Sequence, residues 1–436
     1  MKKIYSLLGG VFMALAMASC QGGRTAAGDL DAGDTVKMKY AQLLTLVKHG
    51  GGNADDQGHE YAEAIVENPW KKGSVLHRYI LIPKGKKGDE TVAELAIHRT
   101  DGSQKCTTDT VRTPVENSVV FTSPHCQLMY ELGAKNAIRG VCDLNYINIP
   151  DIKRRASSAK SFSSEDTSSV NASSGKLAPI VDCGSSMAPD IERIIALKPQ
   201  ALLISPFENS GGYGKLDKLH IPIVETADYM ETSPLGRAEW MKFYGMLFGS
   251  EEERGKSDSL FSAIEKEYLS LKAQAAELPK GLSILTERKM GNVWYVPGGQ
   301  STIGVLLKDA NARYIFEDDT HSGSLAMSPE QILAKGKKVD VWAFKYFEPQ
   351  PLTRPQLLQE YKGYGALLAF NTKDIYECST SNQPYFELTS FHPEILLREF
   401  IILAHQDSFF GKLRFYKRLD APDDLPLWGK TEECKG

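Results

Sequence analysis

The sequence predicts an α/β protein of two lobes, each built on a parallel sheet, joined by a long helix and preceded by a β-hairpin region. Three observations predict it. From Ser118 onward short apolar runs alternate with helical stretches, as expected of a parallel sheet covered on both faces. The longest helical region, Pro234 to Leu278, breaks that rhythm once, and the rhythm resumes at Leu282. The chain has 436 residues, too many for one core.

The first residues read as an export signal. Lys2 and Lys3 precede an apolar run from Leu7 to Ala18, which is shorter than a bilayer span. The run ends Met17-Ala18-Ser19-Cys20, small residues before a cysteine, the lipobox of bacterial lipoproteins. Residues 1–19 are therefore expected to be a signal peptide. Cys20 is the expected lipidation site, and 20–35 the polar, glycine-rich tether. This predicts a periplasmic protein anchored by lipid to the inner or outer membrane. No later stretch is long and apolar enough to be a transmembrane helix.

Residues 36–114 read as a β-rich extension packed on the first lobe. Ile80 to Pro83, the turn-rich Lys84 to Gly88 and the extended run Thr91 to His98 have the signature of a hairpin. The first lobe is expected over 115–233. Its strands are Ser118–Thr122, Ile138–Cys142, Pro179–Cys183, Ala201–Ser205 and Pro222–Glu225, with helices after the first and before Leu197. The serine-rich stretch 156–175 has few apolar residues and no period, so it reads as a disordered insertion.

Over 234–278 two helices are expected. Met241, Tyr244, Leu247 and Phe248 form one stripe, and Gly249-Ser250 breaks it. Glu251-Glu252-Glu253 opens the second, whose face carries Leu260, Phe261, Ile264, Tyr268 and Leu271. In the second lobe, 279–436, strands are expected at Leu282–Thr286, Val339–Phe344 and Ala366–Asn371. Helices are expected at Ile303–Ala312, Glu330–Lys335 and His392–His405.

Composition bounds the function. A net charge of −4 argues against nucleic acid, which needs a basic footprint. The six cysteines after Cys20 match no zinc spacing, and Cys142 and Cys183 read as buried ends of apolar runs. Ser210 to Lys215 lacks the first glycine and the final hydroxyl residue of a phosphate loop. Gly299-Gln300-Ser301 lacks the last glycine of a nucleophile elbow. HExxH does not occur. No catalytic residues, metal ligands or cofactor are expected, and the chain reads as a monomer.

What remains is a set of loops after strand C-termini, where α/β lobes bind ligands. The first lobe offers Ser123 and His125, Ser186, and Tyr213. The second offers Arg288 and Lys289, Trp294 and Tyr295, Lys345 and Tyr346, and Phe386. Two such crevices face to face would clamp one ligand. Tyr213, Trp294, Tyr295, Tyr346 and Phe386 are expected to pack on a large planar or apolar ligand, with Arg288 and Lys289 pairing its acidic groups. A chelatase-like enzyme on the same fold is the alternative, with His125 and His321 as its loop histidines. A surface interaction protein is a third.

Two longer stretches carry a family resemblance. Met187-Ala-Pro-Asp190-Ile-Glu192-Arg-Ile-Ile-Ala-Leu-Lys-Pro-Gln200-Ala-Leu-Leu-Ile is a capped helix, then Lys-Pro, then a strand. Ser328-Pro-Glu330-Gln-Ile-Leu to Asp340-Val-Trp repeats it in the second half, and Phe391-His-Pro to His405 follows as a closing helix. Over residues 115–411 the chain resembles the periplasmic binding proteins of iron-chelate and cobalamin importers. Gln200 stands where that family usually has Asp. The resemblance implies two Rossmann-like lobes bridged by a helix and a ligand that is a ferric siderophore, haem or cobalamin. It also implies an ABC permease as partner, docked through one rim glutamate per lobe, by position Glu192 and Glu330.

Overall fold

The computed structural model describes residues 34–49, 60–85, 107–159, 177–208, 213–249 and 251–420. The signal peptide, Cys20, nearly all of the tether, the run Thr91–His98 and most of the serine-rich insertion lie outside them.

The extension is a five-stranded sheet. Its strands are β1 (Asp34–Val36), β2 (Leu44–His49), β3 (Tyr61–Glu67), β4 (Val75–Pro83) and β5 (Thr107–Thr113), in that order. The first four pair antiparallel, but β4 and β5 run parallel, so they are not a hairpin. Tyr79 ties this sheet to the first lobe, because its hydroxyl donates to the Ile223 carbonyl at 2.9 Å and accepts the Glu225 N–H at 2.7 Å.

The first lobe holds β6 (Ser118–Val120), β7 (Ile138–Val141), β8 (Val181–Asp182), β9 (Ala201–Ile204) and β10 (Ile223–Glu225). All pair parallel, in the order β10-β9-β6-β7-β8. This is the doubly wound order, which reverses between β6 and β9. Every residue of β6 and β9 is buried, as their unbroken apolar character requires. Helices α1 (Ser123–Glu131), α2 (Pro150–Ala159) and α3 (Ile191–Leu197) belong to this lobe. Residues 156–159, expected within the insertion, are helical instead. They close α2, and Ala156 is buried.

Between the lobes run α4 (Pro234–Glu239), α5 (Met241–Phe248) and α6 (Glu251–Ala276). The 26 residues of α6 span about 39 Å at 1.5 Å each. The extension is riveted to this connection. The buried carboxylate of Glu239 accepts the backbone N–H groups of Lys39, Tyr40 and Ala41 at 2.8–3.0 Å. Glu231 accepts those of Gln42 and Leu43 and the indole of Trp240. At Gly236 a Cβ would stand 2.9 Å from the Tyr40 carbonyl, so the close approach requires glycine.

The second lobe has β11 (Ile284–Thr286), β12 (Lys289–Met290), β13 (Val293–Pro297), β14 (Ser324–Met327), β15 (Val341–Tyr346), β16 (Ile375–Ser379) and β17 (Lys417–Arg418). β11, β15 and β16 are parallel and β17 is an antiparallel edge. β12, β13 and β14 make a separate antiparallel sheet. The helices α7 (Thr302–Asp309), α8 (Pro329–Gly336), α9 (Tyr385–Thr389) and α10 (Pro393–His405) matter below. The run Ala366–Asn371, expected as a strand, instead enters a short helix at Leu368–Thr372. Lys373 ends it in the left-handed conformation, φ 64°, and the strand follows as β16. An apolar run that short has no period to separate the two structures.

The lobes touch directly behind the connection. His392, at the head of α10, bridges Glu131 of α1 and Glu394, each at 2.9 Å. Burial works against a charged imidazole there, but the two carboxylates outweigh it and push His392 up to about 10. Glu387 of α9 accepts the Asn148 N–H of the first lobe at 2.7 Å.

Candidate functional site

A cleft of about 650 Å³ opens between the lobes. Its first-lobe wall comes from the ends of β6 and β9, the two strands at the order reversal. These give Phe121, Thr122, Ser123 and Pro124 on one side and Ile204, Ser205 and Phe207 on the other. A crevice outside the carboxyl ends of strands at such a reversal is where doubly wound sheets bind ligands. Asp143, Tyr146, Ser186, Met187 and Tyr213 extend this wall, and Arg237 of α4 closes its base. The second lobe contributes Phe347 after β15, Thr380 after β16, and Phe386 and Ser390 around α9.

The wall is mainly apolar and aromatic with a few hydroxyls, the composition of a small-molecule site. Large rings stand open to solvent where a protein interior would bury them. Tyr146 is 61% exposed, Phe386 50% and Phe347 44%. Tyr146 and Phe347 meet from opposite lobes with ring centroids 4.8 Å apart. Tyr213 is oriented by its hydroxyl, which donates to Glu225 at 2.7 Å. Partial burial and that carboxylate hold the phenol well above its usual range.

Four of the residues expected at the ligand line this cleft: Ser123, Ser186, Tyr213 and Phe386. The other seven do not. His125 is buried behind the wall, with Nε2 on Asp228 at 2.8 Å and Nδ1 on Thr122. Trp294 was expected in a loop but lies on β13, where alternation turns it inward and Tyr295 outward. Tyr346 is the buried last residue of β15. Lys345, just before it, pairs with Glu287. Burial disfavours its charge, yet Glu287 outweighs burial and raises the ammonium above its usual range.

Arg288 pairs with Glu360 and Glu348. With Tyr295 it lines a separate groove of about 300 Å³ on the second lobe. Lys289 donates to the Gly291 carbonyl at 2.9 Å. Charge pairing between distant residues decides the cases of Arg288 and Lys345, and spacing along a chain carries no sign of it. His321, the other loop histidine, sits at the surface on Asp319. Among the described residues no group of three or more His, Cys, Asp or Glu could hold a metal ion.

Sequence reasoning missed Tyr146, Phe121 and Arg237. The reversal point itself would have drawn attention to Phe121, since it directly follows β6. Arg237 lies on a helix of the connection, with no pattern to mark it. The four described cysteines are free and buried; burial pushes the thiols of Cys183 and Cys378 up to about 12.

Glu192 and Glu330 are both exposed in the first turns of α3 and α8. Neither caps its helix. Asp190 accepts the Arg193 N–H at 3.1 Å, and Ser328 forms a capping box with Gln331.

Comparison with known proteins adds the following. The family model described as "periplasmic binding protein" matches residues 152–381, just over half of the chain. Two uncharacterized lipoproteins of Methanocaldococcus jannaschii are 25% identical over 237 residues and 24% identical over 246 residues. These alignments cover 53% and 55% of this chain, and the chain spans 54% and 62% of the relatives' lengths. A Staphylococcus epidermidis protein described as a possible iron-binding periplasmic solute-binding protein superposes with a TM-score of 0.48 at 15% identity. It covers 67% of this chain and 99% of its own. The periplasmic haem-binding protein of Vibrio cholerae gives 0.47 at 14% identity, covering 65% and 99%.

Proposed function

Since the chain belongs to the periplasmic binding protein family, we propose that it is the substrate-binding component of an ABC importer for a metal chelate. The ligand is a ferric siderophore, haem or cobalamin, held between the lobes and delivered to a membrane permease. The observation that carries this reading is the interlobe cleft at the strand-order reversal, walled by solvent-open aromatic rings from both lobes. Rings left in water are favourable only if something covers them, and a bulky chelate with apolar faces would.

Glu192 and Glu330 are the permease contacts in this proposal. Cys20, outside the described residues, would carry the lipid anchor; Cys20→Ser should then leave the membrane fraction, and continued pelleting would point to another anchor.

The ligand reading is tested by titrating wild type and Phe347→Ala/Phe386→Ala with haem, ferrioxamine B and cyanocobalamin, following intrinsic fluorescence. At least one chelate should bind wild type. The double variant should lose about 1–3 kcal/mol of that affinity with little change in melting temperature, because both rings are half exposed before binding. Equal affinity in the two proteins would mean that the second-lobe wall does not touch the ligand.

A further inference from the structure

Two charged side chains reach the cleft wall among the described residues, Asp143 and Arg237. They are held differently. Asp143 spends one oxygen on the Ser186 N–H at 3.1 Å. Arg237 is seated from behind. Its Nε donates to Asp228 Oδ2 at 3.2 Å, and its side chain is 22% exposed.

Asp228 is fully buried and is itself fixed on its other oxygen, Oδ1, by His125 Nε2 at 2.8 Å and by the Tyr244 hydroxyl at 3.5 Å. His125 in turn bonds Thr122, on the loop after β6. Burial raises the Asp228 carboxyl, but His125 and Arg237 outweigh it and keep it below the usual range, so it faces Arg237 as a carboxylate.

This chain of contacts fixes one edge of the guanidinium only. Asp228 occupies Nε, and among the described residues neither Nη1 nor Nη2 has a protein partner. A fork of that kind matches a planar oxyanion with two parallel hydrogen bonds. Partial burial strengthens the match by lowering the local dielectric. A buried carboxylate is costly to keep, and here it holds a cation at a cleft wall rather than neutralising it in a core. The cations expected to pair acidic groups, Arg288 and Lys289, do not line the cleft, and Arg288 and the loop cation Lys345 are already paired with carboxylates.

We propose that Arg237 is the anion-recognising residue of the cleft, so that the protein selects chelates presenting a carboxylate or similar oxyanion toward the first lobe. Asp228 and His125 are positioning residues, acting through Arg237. The proposal rests on the chelate-binding reading above and adds the charge of the substrate class.

The test compares haem with haem dimethyl ester, which differ in their carboxylates alone, and ferric citrate with ferrioxamine B, which differ also in chelating groups and overall charge. Wild type, Arg237→Gln, Arg237→Lys and Asp228→Asn are titrated with each, and melting temperatures are recorded. Wild type should prefer the anionic member of a pair at least tenfold, about 1.4 kcal/mol. Arg237→Gln should bring the preference for haem over its dimethyl ester to within about twofold while affinity for the ester holds.

Arg237→Lys keeps the charge beside Asp228 but lacks the fork, so the preference should fall with the fold intact. Asp228→Asn should lower the preference too, a change that loss of stability alone would not produce. A wild type that binds both members equally, or an Arg237→Gln protein that keeps the preference, overturns the proposal. If wild type binds none of the four probes, the chelate reading itself has failed and this inference falls with it.

Discussion

Replacing Trp294 with alanine is expected to cost about 3–5 kcal/mol of stability and to leave chelate affinity of the folded protein unchanged. The indole is 0% exposed. It packs edge-on against Tyr364 with ring centroids 5.4 Å apart and beside Trp342 at 6.0 Å. Alanine would leave a void that close-packed neighbours fill only in part. Trp294→Phe should cost much less. It keeps an aromatic ring and removes a buried indole N–H that has no hydrogen-bond partner among the described residues. Denaturant melts of the three proteins rank them. An alanine variant that melts like wild type but binds chelate weakly would move Trp294 from the core to the ligand.

The second large effect is on transport. The pair Glu192→Lys/Glu330→Lys should lower uptake in cells to the level of cells lacking the protein, because it reverses the charge of both proposed permease contacts. Chelate affinity should hold, since neither residue lines the cleft. The melting temperature should barely move. Asp190 and Ser328 do the capping, and reversal of an exposed first-turn charge is a weak, salt-screened effect. Glu330 is held below the usual carboxylate range by its own backbone N–H and the Ser328 hydroxyl, so it is ionised at neutral pH. Normal uptake by the double variant would remove these two residues from the permease contact.

The two fates of the predicted site residues show what sequence carries. The lobes were legible because buried parallel strands such as Ala201–Ile204 are apolar throughout, and their ends mark the loops that reach the cleft. Ser123, Ser186 and Tyr213 follow such ends and line the cleft. Phe386 reaches the cleft from the first turn of α9, exposed beside the buried Tyr385.

Trp294 and Tyr346 failed for the opposite reason. Each still lies within a strand: period-2 alternation buries Trp294, and Tyr346 ends a parallel strand that is buried on both faces. The boundary error of a few residues moved them into loops. Lys345, Arg288 and His125 failed because their partners Glu287, Glu360 and Asp228 come from other elements. The same tertiary pairing hid Arg237, whose importance comes from Asp228 behind it. In the extension, β5 pairs parallel with β4, which no hairpin pattern anticipates, and the run Thr91–His98 expected to complete a hairpin lies outside the described residues.

The central claim is that a metal chelate sits between the lobes. The most direct measurement is a crystal structure of the protein with the molecule that it retains on purification from its native host, identified in parallel by mass spectrometry. A metal chelate should lie between Phe121 and Phe207 on one side and Phe347 and Phe386 on the other, with the Arg237 fork on one of its oxyanions. A retained molecule seated instead in the groove beside Tyr295 and Arg288, or one that contains no metal chelate, would contradict it.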